Sequence, residues 1–176
     1  MKEIGKMRQK PARLGLLMLL CLAIGSSAQS VNKTIVLVRH AEKASAPPTE
    51  PDPELSAAGR ERAQRFMKAV VKKYKPHEIF STNYKRTRDT AEPIARSRGK
   101  QVQIYDASKP GELIAKIMAS KTDHYLIVGH SNTIPAFANA LAKKEVFRNL
   151  LDTEYGVYWV IRMKNGVVTK IEMFPY

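Results

Sequence analysis

The stretch Thr34 to Glu42, T-I-V-L-V-R-H-A-E, constrains the fold more tightly than any other part of the chain. Ile35, Val36, Leu37 and Val38 follow one another with no polar residue between them. A strand with one wet face alternates and a strand covered on both faces does not, so this run belongs inside a largely parallel sheet. His124 to Gly129, H-Y-L-I-V-G, reads the same way. Two further strand signals, Glu78 to Ser81 and Gln101 to Tyr105, lie between them.

Helical patterns fill the intervals. Behind a Ser56 cap, Ala63, Phe66, Met67, Val70, Val71 and Tyr74 recur at the spacing of one buried face, with Arg62, Arg65, Lys68, Lys72 and Lys73 outside it. Thr82 to Arg98 is helical in composition and stops at Gly99, and Pro93 inside it predicts a kink or two abutting helices. Ser108 and Pro110 open a third helix with Leu113, Ile114, Ile117 and Met118 on its apolar face. Ile134, Phe137, Ala138 and Leu141 mark a fourth, with Pro135 in its opening turn. Asn165-Gly166 between two strand-like runs is a hairpin signal. The predicted class is α/β: a three-layer, mostly parallel sheet flanked by helices, with a C-terminal antiparallel hairpin. Ala44 to Glu54 carries four prolines and no apolar period, and reads as a loop long enough to wall a pocket.

Residues 1–28 follow the order of a secretory signal peptide: basic Lys2, Lys6, Arg8, Lys10 and Arg13, an apolar run from Leu14 to Gly25, then Ser26, Ser27 and Ala28. The expectation is a cleaved signal, a single domain over 29–176, export to the periplasm or beyond the cell, and membrane contact only through the cleaved segment. An uncleaved anchor is the alternative. Cleavage removes five basic residues and one acidic one, which lowers the net charge from +14 to +10. Cys21, the only cysteine, goes with them, so neither a disulfide nor a thiolate site is expected. The basic balance points to anionic partners. Phosphorylated small molecules or glycans, the lipid phosphates of an envelope and nucleic acid all fit that charge; aromatic residues make up only 7% and no nucleic-acid motif is present, so nucleic acid is not expected.

Ligands of open α/β sheets gather at the carboxyl ends of strands. Arg39 and His40 end the first strand, Arg86 falls one helical turn beyond the second, and His130 ends the fourth. Two guanidinium forks match phosphate oxygens, and the helix start near Ser131 adds backbone donors. A zinc site would need a third ligand and would avoid the arginines, so neither a metal nor another cofactor is expected. An unprotonated imidazole in such a pocket can attack phosphorus and divide one hard displacement into two easier ones. Neighbouring arginines disfavour the imidazolium form, and a carbonyl on the other ring nitrogen would fix the tautomer.

The strings L-V-R-H-A-E (Leu37 to Glu42), L-S-A-A-G-R (Leu55 to Arg60), S-T-N-Y-K-R-T-R-D-T-A-E-P (Ser81 to Pro93) and V-G-H-S-N-T (Val128 to Thr133) resemble the histidine phosphatase superfamily, or phosphoglycerate mutase-like fold. The compact size is similar to the small bacterial phosphohistidine phosphatases. The resemblance implies a covalent phosphohistidine on His40, phosphate binding by Arg39 and Arg86, and transition-state stabilisation by His130, with Ser131 and Asn132 lining the pocket. The match thins at the proton donor: Asp106, just past the third strand, is the candidate, Glu42 is the reserve, and the loop carboxylates Glu50, Asp52 and Glu54 stay open. A phosphate-binding module without turnover, holding a phosphorylated envelope glycan or lipid, is the alternative function.

Overall fold

The computed structural model describes residues 31–176, so the signal-peptide reading of 1–28 lies outside the described residues. Strands β1 (Asn32–Arg39), β2 (Glu78–Ser81), β3 (Val102–Ile104) and β4 (His124–Gly129) alternate with helices α1 (Ala57–Tyr74), α2 (Lys85–Arg98), α3 (Pro110–Ala119) and α4 (Thr133–Ala142). The hairpin β5 (Val157–Lys164) and β6 (Val167–Pro175) follows. The sheet order is β3-β2-β4-β1-β5-β6. The first four strands run parallel and the last two pair antiparallel, as the sequence predicts.

Every apolar residue of β1 from Ile35 to Val38 is fully buried, and alternate ones face opposite ways. Ile35 and Leu37 pack with Ile117 of α3 and with Ile134, Phe137 and Leu141 of α4. Val36 and Val38 pack with Phe66, Val70 and Tyr74 of α1 and with Ala91 and Ile94 of α2. The missing alternation in the sequence is thus explained by a helical layer on each face. Trp159 belongs to the first of these cores.

Two expectations change. Helix α2 is one element straight through Pro93, so the possibility of two abutting helices is corrected. Proline removes only the one donor that would reach back a turn, and Thr90, Ala91, Ile94 and Ala95 are buried on both sides of it. The same helix begins at Lys85 rather than Thr82, because residues 82–84 first carry the chain out of the sheet.

The connections place the site. The crossover leaving β1 travels by α1 toward β2, while the one leaving β4 travels by α4 toward β5 on the other face. Adjacent strands whose exits diverge open a crevice at their carboxyl ends, so the topological switch point lies between β1 and β4. Loop 44–54 is stapled at its base by the Lys43–Leu55 bridge and by Ala44 N donating to Glu54 O at 2.8 Å. Ser56 caps α1 by accepting from Gly59 N. A Cβ on Gly59 would lie 2.1 Å from the carbonyl oxygen of Glu42, so glycine is what lets the helix start sit against the segment beyond β1.

Candidate active site

The crevice at that switch point is an open cleft of about 940 Å³, lined by Arg39, His40, Arg86, His130, Ser131 and Asn132 and by the Asp106 region. All of the residues that the sequence assigns to phosphate chemistry therefore share one cavity. His40 is one residue beyond β1, and its backbone N–H donates to Gly129 O at 2.9 Å, continuing the ladder to β4. The two imidazoles that leave these neighbouring strands have ring centroids 5.3 Å apart.

His40 is only 6% exposed. Its Nδ1 lies 2.7 Å from the carbonyl oxygen of Ala41, which can only accept, so Nδ1 carries the ring proton and Nε2 keeps a lone pair. Burial pushes the pKa down to about 3, against the Ala41 hydrogen bond, with His130, Arg86 and Arg39 pushing the same way as burial. His130 is brought down to about 4 by burial and then by Arg86 and Arg39, with Asp52 opposing. Its Nε2 lies 2.9 Å from Thr82 Oγ1. Thr82 donates to Thr87 Oγ1, which donates onward to the carbonyls of Thr82 and Tyr84. With its own proton committed to Thr87, Thr82 accepts from His130 Nε2–H, and His130 Nδ1 holds the lone pair.

Both guanidiniums are anchored. Arg39 Nη1 donates to the carbonyls of Leu151, Asp152 and Glu154 at 2.7, 3.3 and 3.0 Å, and its plane lies over the Tyr155 ring at 4.1 Å. Its Nε is buried without a partner among the described residues. Arg86 projects from the first turn of α2 and stacks over Tyr84 at 4.4 Å. Helix α2 has no side-chain cap of its own. Asp52 supplies it from the proline loop: both carboxylate oxygens accept from Lys85 N at 3.0 and 3.1 Å, and Oδ1 lies 3.4 Å from Arg86 Nη1.

The carboxylates considered as proton donors are held ionised or are tied elsewhere. Asp106 lies in the cleft wall, but it is fully exposed to water, and Ser108 donates to it through its hydroxyl and its backbone N–H, which lowers its pKa. Burial would raise Glu42, yet two hydrogen bonds from Arg62 bring it below the ordinary carboxylate value. Asp52 is the helix cap, Glu50 lies 3.9 Å from Lys85 Nζ, and Glu54 is not among the cleft residues.

Sequence reading left out the far wall. Asp152 and Tyr155 line the cleft from the stretch between α4 and β5. Topology held the signal: β5 is antiparallel to β1, so the chain after α4 must climb back to the carboxyl edge before β5 begins. Thr82, directly after β2, and Lys43, four residues beyond β1, also line the cleft and carry no signal in the sequence reading. Tyr84 is 42% exposed and meets His130 edge-on at 5.0 Å.

A family model described as histidine phosphatase superfamily (branch 1) matches residues 35–109. No curated protein matches the chain significantly. Among solved structures, mycobacterial glucosyl-3-phosphoglycerate phosphatase aligns with a TM-score of 0.65 at 15% identity, over 82% of this chain and 98% of that one. The protein histidine phosphatase SixA in complex with tungstate aligns with a TM-score of 0.66 at 13% identity, over 81% and 96%. SixA from Agrobacterium tumefaciens aligns with a TM-score of 0.60 at 22% identity, over 80% and 97%. Identities this low speak to fold alone; the chain has the fold of these phosphatases, and its residues 35–109 are similar to the histidine phosphatase superfamily.

Proposed function

We propose that the protein is an exported phosphatase that hydrolyses phosphomonoesters or phosphoramidates through a covalent phosphohistidine on His40, without a metal. The observation that carries this reading is the His40 ring: neutral, its Nδ1–H held by Ala41, its Nε2 unprotonated, in a cleft shared with two arginines and a second imidazole. Nε2 attacks phosphorus, an N–P bond forms, and the bond from phosphorus to the leaving group breaks. Arg39 and the Arg86 fork bind the equatorial oxygens. His130, neutral in the empty cleft, gains proton affinity once a phosphate dianion lies against it, and then donates to the transferring group. Water next attacks phosphorus, the N–P bond breaks, and inorganic phosphate leaves.

Because Asp106 and Glu42 are held ionised, leaving groups that depart with little protonation, such as aryl phosphates and phosphoramidates, are expected to react fastest. The open cleft and the fold shared with glucosyl-3-phosphoglycerate phosphatase favour a phosphorylated small molecule or glycan. Hydrolysis of an aryl phosphate in chelator, and acid-labile phosphate label on the wild type but not on His40→Ala, test the reading; a fully active His40→Ala ends it. The lack of a poised acid favours one second reading, a phosphate-binding module for phosphorylated envelope glycan or lipid. Tight phosphate binding with no turnover of any aryl phosphate would select it.

A further inference from the structure

With four parallel strands, each of the first three helices returns the chain to the amino edge of the sheet, opposite the cleft. The β5–β6 turn lies on the same edge, since Lys164 is in register with Asn32 at the start of β1. Backbone bonds knit these connections together: His77 N donates to His124 O at 2.9 Å and Thr34 N to Asp123 O at 2.7 Å. Every one of them carries an exposed lysine: Lys75 after α1, Lys100 after α2, Lys121 after α3 and Lys164 at the hairpin. The lysines that form ion pairs among the described residues are others, Lys85, Lys109 and Lys170. The acidic groups on this edge are engaged locally, Glu78 with Ser120 and Asp123 with His77.

Lys75 occupies the left-handed C-cap of α1 at φ 43°, a position that glycine takes without strain and that Gly99 does take at the end of α2. Charge is kept there against the backbone preference. The chain also enters the sheet here, with Val31 and Asn165 exchanging hydrogen bonds at 2.9 and 3.0 Å.

We propose that the amino edge is a docking face for an anionic phospholipid surface, with Lys75, Lys100, Lys121 and Lys164 as its contacts and the cleft turned away toward water. Compact ammonium groups spread over four separate connections suit a field of lipid phosphates. Nucleic acid is served by stacking rings and guanidinium planes. The one aromatic side chain among the exposed large hydrophobics of the described residues, Tyr84, lies at the opposite edge.

The test is vesicle flotation of the full chain and of a variant combining Lys75→Gly, Lys100→Gln, Lys121→Gln and Lys164→Gln. Phosphatidylcholine vesicles are compared with vesicles that also contain phosphatidylglycerol, at low and high salt. Wild type should prefer the anionic vesicles by roughly tenfold or more at low salt and lose the preference at high salt. The variant should lose most of it while its melting temperature and aryl phosphate turnover stay as in the wild type. Equal partition of wild type between the two vesicle types, an undiminished preference in the variant, or preferential retention by a single-stranded oligonucleotide would each overturn the proposal.

Discussion

The molecule holds two pairs of histidines at nearly equal separations, 5.3 Å between the rings of His40 and His130 and 5.6 Å between those of His77 and His124. The first pair follows the carboxyl ends of β1 and β4, and the second stands at the amino ends of β2 and β4. One lines the cleft, faces two guanidiniums and has its pKa values pushed down to about 3 and about 4. The other is stacked at 18°, and His77 is 45% exposed in its side chain with a carboxylate oxygen 2.9 Å from its ring. Ring-to-ring spacing therefore says little about chemistry. What matters is which end of the strands supplies the pair, because that end decides whether water or an anion meets it.

The contrast is broken most directly by substitution. His40→Ala should lower kcat/KM for an aryl phosphate by on the order of 10⁴-fold or more, since it deletes the attacking atom. Steady-state kinetics would show this, and a drop below tenfold would place the nucleophile elsewhere. Arg86→Ala should cost about 10²- to 10³-fold in the same assay by removing a fork from the developing charge.

A third test sharpens the enclosure of the first pair. His40 titrates near 3 when folded against an ordinary 6.5, so between those values the unfolded chain binds the extra proton. Stability contributed by the neutral ring is complete above about 6.5 and is lost as pH falls toward 3, by a few kcal/mol in order of magnitude. Urea melts at pH 7 and pH 4 should show a steeper loss for wild type than for His40→Asn; equal losses would mean that the ring is not desolvated.

Asp52→Ala should raise KM by roughly tenfold with a smaller change in kcat, because it releases Arg86 from the helix cap. Asp52→Asn, which keeps an acceptor for Lys85 N–H, should fall between them. Last, His77→Ala with His124→Ala should leave kcat/KM within about twofold, and a larger loss would erase the distinction between the two edges.

Much of this was legible in the chain itself. Unbroken apolar runs announced strands covered on both faces, and spacing put Arg39, His40, Arg86 and His130 on one edge before any coordinates. The missed pieces depend on geometry that no local pattern encodes. Asp106 reads as a poised acid until Ser108 is seen donating to it twice, and Asp52 reads as a loop carboxylate until α2 is seen to start without a cap. Tyr155 and Asp152 lie in a stretch without periodicity, and only the reversed direction of β5 explains why it borders the site.

The amide of His40 continues the β1–β4 ladder at Gly129, so the distance between the His40 and His130 imidazoles is inherited from the pitch between hydrogen-bonded strands. No hinge separates them. A site built this way gives up the option of regulation by drawing its two imidazoles apart. Heat or denaturant should abolish the proposed activity at the same point at which the centre of the sheet comes undone, leaving no warm, folded and idle form in between.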